Sequence, residues 1–306
     1  MGTAAKKMGL VESAVDLEAS GMRPIPVPKE SGVFEACEAE HQPRFTSIIR
    51  LKQQQGPVFD RGVDCFGIPV AVATWDELRS WFFESVETRA RDPRVVYFAN
   101  AHTLNLAWND SEFRAVLGRA DVVLNDGIGV DIYSRLAGRR FSENFNGTDL
   151  LPRLFASADP ARPLRVFLYG ARKGRAEKAA KNIEARFPGV KVVGTMDGYA
   201  RSSVIETINE ACPDVVLVGM GNPIQEKWID ENKSLLDVGV VMGVGALIDF
   251  LSGEIERAPS WVRSIRLEWA YRLVREPKRL FARYVLGNPA FLVRSFLYLG
   301  FGVKPA

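Results

Sequence analysis

Asp214-Val-Val-Leu-Val-Gly-Met-Gly-Asn-Pro-Ile-Gln-Glu-Lys-Trp228 is an apolar run that ends in a glycine turn carrying clustered polar side chains. Val215, Val216, Leu217, Val218 and Met220 suit a parallel strand buried on both faces, while Gly219 and Gly221 let the backbone turn and approach a ligand closely. Asn222, Gln225 and Glu226 then fall beyond the strand's carboxyl end, where ligands collect in open α/β sheets. The stretch predicts a binding edge.

Outward from this strand, the pattern alternates strand and helix over most of the chain. Strands are expected at 66–72, 94–99, 121–124, 165–169, 191–195, 214–219 and 238–243. Between them, helices are expected at 74–88, from 103 past 107, at 130–137, from the Asn146-Gly-Thr-Asp149 cap through 155, up to 186, at 202–211 and at 224–232. Such alternation defines an α/β fold, a Rossmann-like parallel sheet with helices on both faces. Residues 1–60 break the pattern: Pro24-Ile-Pro-Val-Pro28 and Gln53-Gln-Gln55 lie in a polar, aperiodic stretch, expected to be a mostly disordered arm. The α/β domain is expected over 61–256.

Residues 257–306 differ in character. They hold ten Arg or Lys against two acids, Glu268 and Glu276, a net +8 that leaves −5 for the rest of a chain whose total is +3. Trp261, Leu267, Trp269, Leu273 and Leu280 alternate with the arginines, and Phe291-Leu-Val-Arg-Ser-Phe-Leu-Tyr-Leu299 is apolar. A basic amphipathic helical appendage that lies on an anionic membrane surface is the expectation, with a helical lid packed on the sheet as the alternative. No signal peptide and no apolar run of about twenty residues is present, so a cytoplasmic protein, peripheral on the inner face of the cytoplasmic membrane, is expected. Because apolar residues interleave with the arginines, nucleic acid is not an expected partner. Cys37, Cys65 and Cys212 have neither paired nor metal-ligand spacing, which points to reduced thiols.

Several motifs fall at predicted strand ends. Asn125-Asp126-Gly127 places a carboxylate where glycine admits a substrate, which makes Asp126 a candidate general base; the alternative is a helix cap or turn former. Gly170-Ala-Arg-Lys-Gly174 opens a helix and offers backbone N–H groups to a phosphate, although a plain strand-to-helix turn has the same pattern. Gly243-Val-Gly245 forms another close turn. Asn100, His102 and Asn105 follow a strand end and are expected to line the same crevice, as is Asp149. With two histidines in the chain and no Asp-x-Asp pair, no metal or other cofactor is expected, and arginines are expected to neutralise phosphates.

Together these motifs resemble the WecG/TagA/CpsF family of bacterial glycosyltransferases. The matching pieces, in the family's order over about 63–285, are Phe98-Ala-Asn100, Asn125-Asp-Gly-Ile-Gly129, Asn146-Gly-Thr-Asp149, Leu168-Tyr-Gly170, Asp197-Gly-Tyr199, Gly219-Met-Gly-Asn-Pro-Ile-Gln-Glu226, Gly243-Val-Gly-Ala246, Leu267-Glu-Trp269, Tyr271-Arg272 and Glu276-Pro-Lys-Arg279. The resemblance implies an inverting, metal-independent hexosyltransferase of exopolysaccharide or cell-surface polymer assembly. It would move a hexose or N-acetylhexosamine-type sugar from a UDP-sugar to a sugar on undecaprenyl diphosphate, a polyprenyl-diphosphate-linked acceptor. It also implies that Asp126 is the base, that Asn100 and Gln225 bind the donor beside the turns of Gly170, Gly219, Gly221, Gly243 and Gly245, and that Arg272, Arg279 and Arg283 meet the lipid diphosphate. Phe98 departs from the family's frequent Thr, and His102 from its common acidic residue.

Two other classes of function fit part of the pattern. A dinucleotide-dependent oxidoreductase would use the Gly170–Gly174 turn for phosphate and Asp197 for a ribose, but lacks the third correctly spaced glycine. A non-catalytic membrane scaffold would use only the basic tail. The sequence leaves homo-oligomer formation open.

Overall fold

The computed structural model describes Phe59 and residues 62–90, 92–199 and 203–305; apart from Phe59, the expected N-terminal arm at 1–60 lies outside them. Six strands form one parallel sheet: β3 (Arg94–Ala99), β4 (Val122–Asn125), β5 (Leu164–Gly170), β6 (Val190–Met196), β7 (Val215–Gly219) and β8 (Val240–Gly243), in the order β4-β3-β8-β7-β5-β6. Strict alternation of buried side chains sorts the strands onto two cores. Val96, Phe98, Leu124, Val166, Leu168, Leu217 and Met242 face one; Val95, Tyr97, Val123, Phe167, Tyr169, Val216 and Val241 face the other. Both faces must therefore be covered, which is why the strands read as continuous apolar runs.

The first core is roofed by α1 (Trp75–Thr88), α5 (Gly147–Ala156), α6 (Arg175–Arg186) and α9 (Leu247–Leu251). The second is roofed by α2 (Ala101–Asn109), α3 (Ser111–Gly118), α4 (Ile128–Leu136), α7 (Val204–Glu210) and α8 (Ile224–Asn232). Caps fix the helix starts locally. Thr74 and Glu77 close a reciprocal capping box on α1, and the Asn100 side chain accepts from the backbone N–H groups of His102 and Thr103 at the head of α2.

The expected strand at 66–72 is instead an antiparallel hairpin, β1 (Gly62–Cys65) and β2 (Ile68–Ala71). Phe66 and Gly67 both turn through positive φ, and the Gly67 N–H donates to Asp64 Oδ1 at 2.6 Å. Asp64 supplies the turn chemistry that the hydrophobic pattern conceals. Of the three cysteines expected to be reduced, Cys65 is free and buried, and Cys37 lies outside the described residues.

Residues beyond 257 are helical, as α10 (Ser260–Ser264), α11 (Glu268–Arg275), α12 (Pro277–Phe281), a π-turn at Ala282–Leu286 and α13 (Gly287–Phe301). α13 docks into the second core through Phe291, whose ring meets Phe66 and Tyr133. Asn105 donates to Gly287 O at 2.7 Å and accepts from Arg294 at 2.8 Å, and Tyr298 donates to Asp64 Oδ2 at 2.6 Å. Among the described residues, no helix is long and apolar enough to cross a membrane.

Candidate active site

The strand order sets which tips are neighbours. Asp126 follows β4, Asn100 follows β3, Gly243 ends β8, Gly219 ends β7 and Gly170 ends β5, all on the carboxyl edge. Asp126 and the Gln225 turn are three strand steps apart, about 14 Å at the usual spacing of about 4.8 Å. A nucleotide sugar is long enough to span that edge.

Asp126 is positioned by its own backbone, whose N–H donates to Ala99 O at 2.8 Å, and by Asn100 Nδ2, which donates to its Oδ2 at 3.1 Å. Among the described residues, Oδ1 makes no hydrogen bond. Burial pushes the Asp126 carboxyl above the ordinary carboxylate range; the Asn100 hydrogen bond and the charges of Arg283 and Arg272 oppose that rise. His102 lies within electrostatic reach of Arg283 as well. Burial first, then the Arg283 charge, pushes its imidazole down to about 4, so it is neutral at pH 7.

The glycine turns stack on one another. A Cβ at Gly170 would lie 2.4 Å from Gly219 O, and one at Gly219 would lie 2.8 Å from Gly245 O. Close approach here is backbone against backbone, between adjacent strand tips. Gly221 and Gly245, in contrast, hold positive φ and face open space. Gln225 ties them together: its Oε1 accepts from Gly221 N at 3.1 Å and from Gly245 N at 2.9 Å, while its Nε2 donates to Glu226 Oε1 at 2.7 Å. Glu226 is fully buried, also accepts from Asn222, and has its carboxyl pushed up by burial to about 7. Spacing offered no hint that Gln225 faces inward as a staple. Arg172 and Lys173 are exposed beside the Gly170 turn.

The appendage brings Arg272 and Arg283 within electrostatic reach of Asp126. Among the described residues, the Nε atoms of both are buried without a hydrogen-bond partner, and the Arg272 guanidinium lies over the Phe250 ring. Burial, reinforced by Arg272 and Arg279, lowers the pKa of Arg283. Orphaned cationic donors of this kind suit an anion. Arg279 is held by Glu276 at 2.8 Å. Asp149 is bound by Arg257 at 2.6 Å and by Asn146 at 2.8 Å, and these hydrogen bonds overcome its burial to hold its carboxyl below the ordinary range. Arg257 has no motif signal, being far from Asp149 in sequence. Asn105, expected in the crevice, instead clamps α13 to α2. Phe98, at the position of the family's frequent Thr, is buried with its ring against Gly147. Among the described residues, no three His, Cys, Asp or Glu side chains gather to hold a metal ion.

A doubly covered parallel sheet with a carboxylate, glycine turns and arginines at its carboxyl edge defines an α/β protein whose edge suits a phosphorylated ligand. The match to the glycosyl transfer family makes this specific: the glycosyl transferase WecG/TagA/CpsF family matches residues 63–302, and the chain belongs to it. It is a glycosyltransferase, which sets aside the oxidoreductase and scaffold alternatives. It is similar to the N-acetylglucosaminyldiphosphoundecaprenol N-acetyl-beta-D-mannosaminyltransferase of Bacillus subtilis (strain 168), at 36% identity over 60% of this chain and 73% of that one. The enzyme of that name from Bacillus spizizenii (strain ATCC 23059 / NRRL B-14472 / W23) is 35% identical over 65% and 77%, and that from Staphylococcus aureus (strain MW2) is 29% identical over 60% and 72%.

Proposed function

We propose that the chain transfers a hexose or N-acetylhexosamine-type sugar from a UDP-sugar to a sugar carried on undecaprenyl diphosphate, with inversion at the anomeric carbon. The acceptor class is supported by the names of the relatives, which act on N-acetylglucosaminyldiphosphoundecaprenol. Asp126 supports the chemistry: it is a carboxylate with raised pKa, one oxygen held by Asn100 and the other unengaged, under a cationic roof. Asp126 Oδ1 takes the proton of the acceptor hydroxyl as that oxygen bonds to the anomeric carbon. The bond from that carbon to the diphosphate breaks, and the nucleoside diphosphate leaves with the electron pair. The glycine turns around Gly219, Gly221, Gly243 and Gly245 cradle the donor, and arginine charge stabilises the phosphates.

Arg272, Arg279 and Arg283 receive the acceptor's diphosphate at a membrane surface, where the basic appendage lies on anionic lipid. The orphaned Nε atoms of Arg272 and Arg283 carry this assignment most directly. A panel of UDP-sugars offered with synthetic polyprenyl-diphosphate-linked sugars, with products resolved by mass, tests the reading. One UDP-sugar is expected to extend the acceptor by one residue with release of UDP. Donor hydrolysis without acceptor extension across the whole panel rejects it.

A further inference from the structure

The helix that leaves the Asp126 turn shows an unpartnered apolar face. α4 begins two residues after Asp126, and Ile128, Ile132 and Leu136 recur every four residues along one side of it. Val130 and Tyr133 on the inner side are buried, but these three are 37%, 39% and 62% exposed. A continuous stripe of this kind differs from the single exposed apolar residues of ordinary surfaces.

The stripe is bordered by cations. Arg139 and Arg140, just past its end, are exposed and make no ion pair among the described residues. Arg135 and Arg266 both reach Asp131 on the same helix, and Arg266 brings the exposed Ile265 and Leu267 of the appendage alongside. α13 packs against α4 as well, with Phe291 beneath Gly129, and shows Leu292, Val293 and Phe296 to solvent. An apolar line edged by arginines and continuous with a basic, apolar appendage fits an anionic bilayer surface.

We propose that the α4 stripe is a second lipid contact, made by the α/β core itself, which sets Asp126 at headgroup depth. The inference rests on the lipid-linked acceptor proposed above. A polyprenyl diphosphate holds its phosphates in the headgroup layer, and the hydroxyl to be deprotonated stands on the sugar next to them. A carboxylate two residues before a lipid-seated Ile128 lies in that layer. The appendage, docked on the core through Phe291, seats one side of it, and the α4 stripe adds a second contact directly beside Asp126.

The test uses the full chain with Ile132→Glu and Leu136→Glu together, and separately with Arg139→Glu and Arg140→Glu. All four side chains are exposed, so unchanged thermal unfolding is expected of both variants. Sedimentation with phosphatidylglycerol–phosphatidylcholine vesicles is expected to show binding about tenfold weaker for each. Transfer to a long-chain lipid-linked acceptor in those vesicles falls in step, whereas transfer to a water-soluble short-chain acceptor is unchanged. Unaltered vesicle binding by both variants overturns the proposal. So does sedimentation without lipid in which the parent is a dimer and the Ile132/Leu136 variant a monomer, because the stripe then meets a second copy. A parent chain that glycosylates neither acceptor defeats the transfer reading, while its vesicle binding still decides the stripe.

Discussion

Asn100 donates its side-chain amide to Asp126 Oδ2 at 3.1 Å, from the tip of one parallel strand to the tip of its neighbour. The same Asn100 side chain caps α2 through its Oδ1, so its orientation is fixed on both sides. One carboxylate oxygen is thereby held and the other left for chemistry. Burial and the appendage arginines then act on that carboxylate in opposite directions.

Asp126 works as a base only when ionised, so turnover is expected to fall as pH drops through its raised pKa. The Arg283 charge opposes that rise. Arg283→Met should therefore move the acidic limb of the rate profile to higher pH. A profile of kcat against pH for both proteins checks this, and a limb that stays in place or moves to lower pH contradicts it.

A carboxyl whose folded pKa lies above its unfolded value contributes stability that is present at low pH and lost as pH rises through the folded pKa. For Glu226, raised from 4.5 to about 7, the loss spans that window and amounts to about 3 kcal/mol. Glu226→Gln retains an acceptor for Gln225 and Asn222 but does not ionise. Between pH 5 and pH 8 its urea midpoint is expected to decline less than that of the parent chain, by the share that Glu226 contributes. Parallel declines would show that Glu226 is not the group responsible.

The glycine turns separate two costs. Gly170→Ala drives a methyl into Gly219 O, against rigid backbone, and is expected to lose about 3 kcal/mol or to fail to fold. Gly221→Ala meets nothing within 4 Å and carries only the strain of its positive φ, about 1 kcal/mol. Chemical denaturation of the two variants checks the order, and equal losses would refute the stacking of the turns.

Removal of residues 257–306 uncovers the Phe66, Tyr133 and Asn105 surfaces that α13 covers. The truncated chain is expected to melt lower and to self-associate, not to persist as an intact core that lacks only membrane binding. Differential scanning calorimetry with light scattering decides between the two.

Much of the fold was legible because the strands are buried on both faces: 94–99 and 214–219 read as apolar runs, and glycine marks the carboxyl ends. The β1–β2 hairpin was not legible, since its turn depends on Asp64 reaching the Gly67 N–H while Phe66, an apolar residue, occupies a turn position. Asp126 and Asn100 could be placed because each directly follows its strand, and neighbouring tips of parallel strands meet. Gln225 could be placed at the edge but not oriented, because its two acceptor contacts come from separate turns, at Gly221 and Gly245. The Asp149–Arg257 pair and the Asn105–Arg294 clamp join distant segments, and only the packed appendage brings those partners together.

Asp126→Asn isolates proton removal from the acceptor, because the amide keeps shape and position but cannot take a proton. Single-turnover transfer from a UDP-sugar to a lipid-linked acceptor should slow by about 10²- to 10⁴-fold, with the donor dissociation constant within about twofold of the parent. A variant that transfers the sugar within a few fold of the parent rate, at equal donor affinity, would show that Asp126 is not the base.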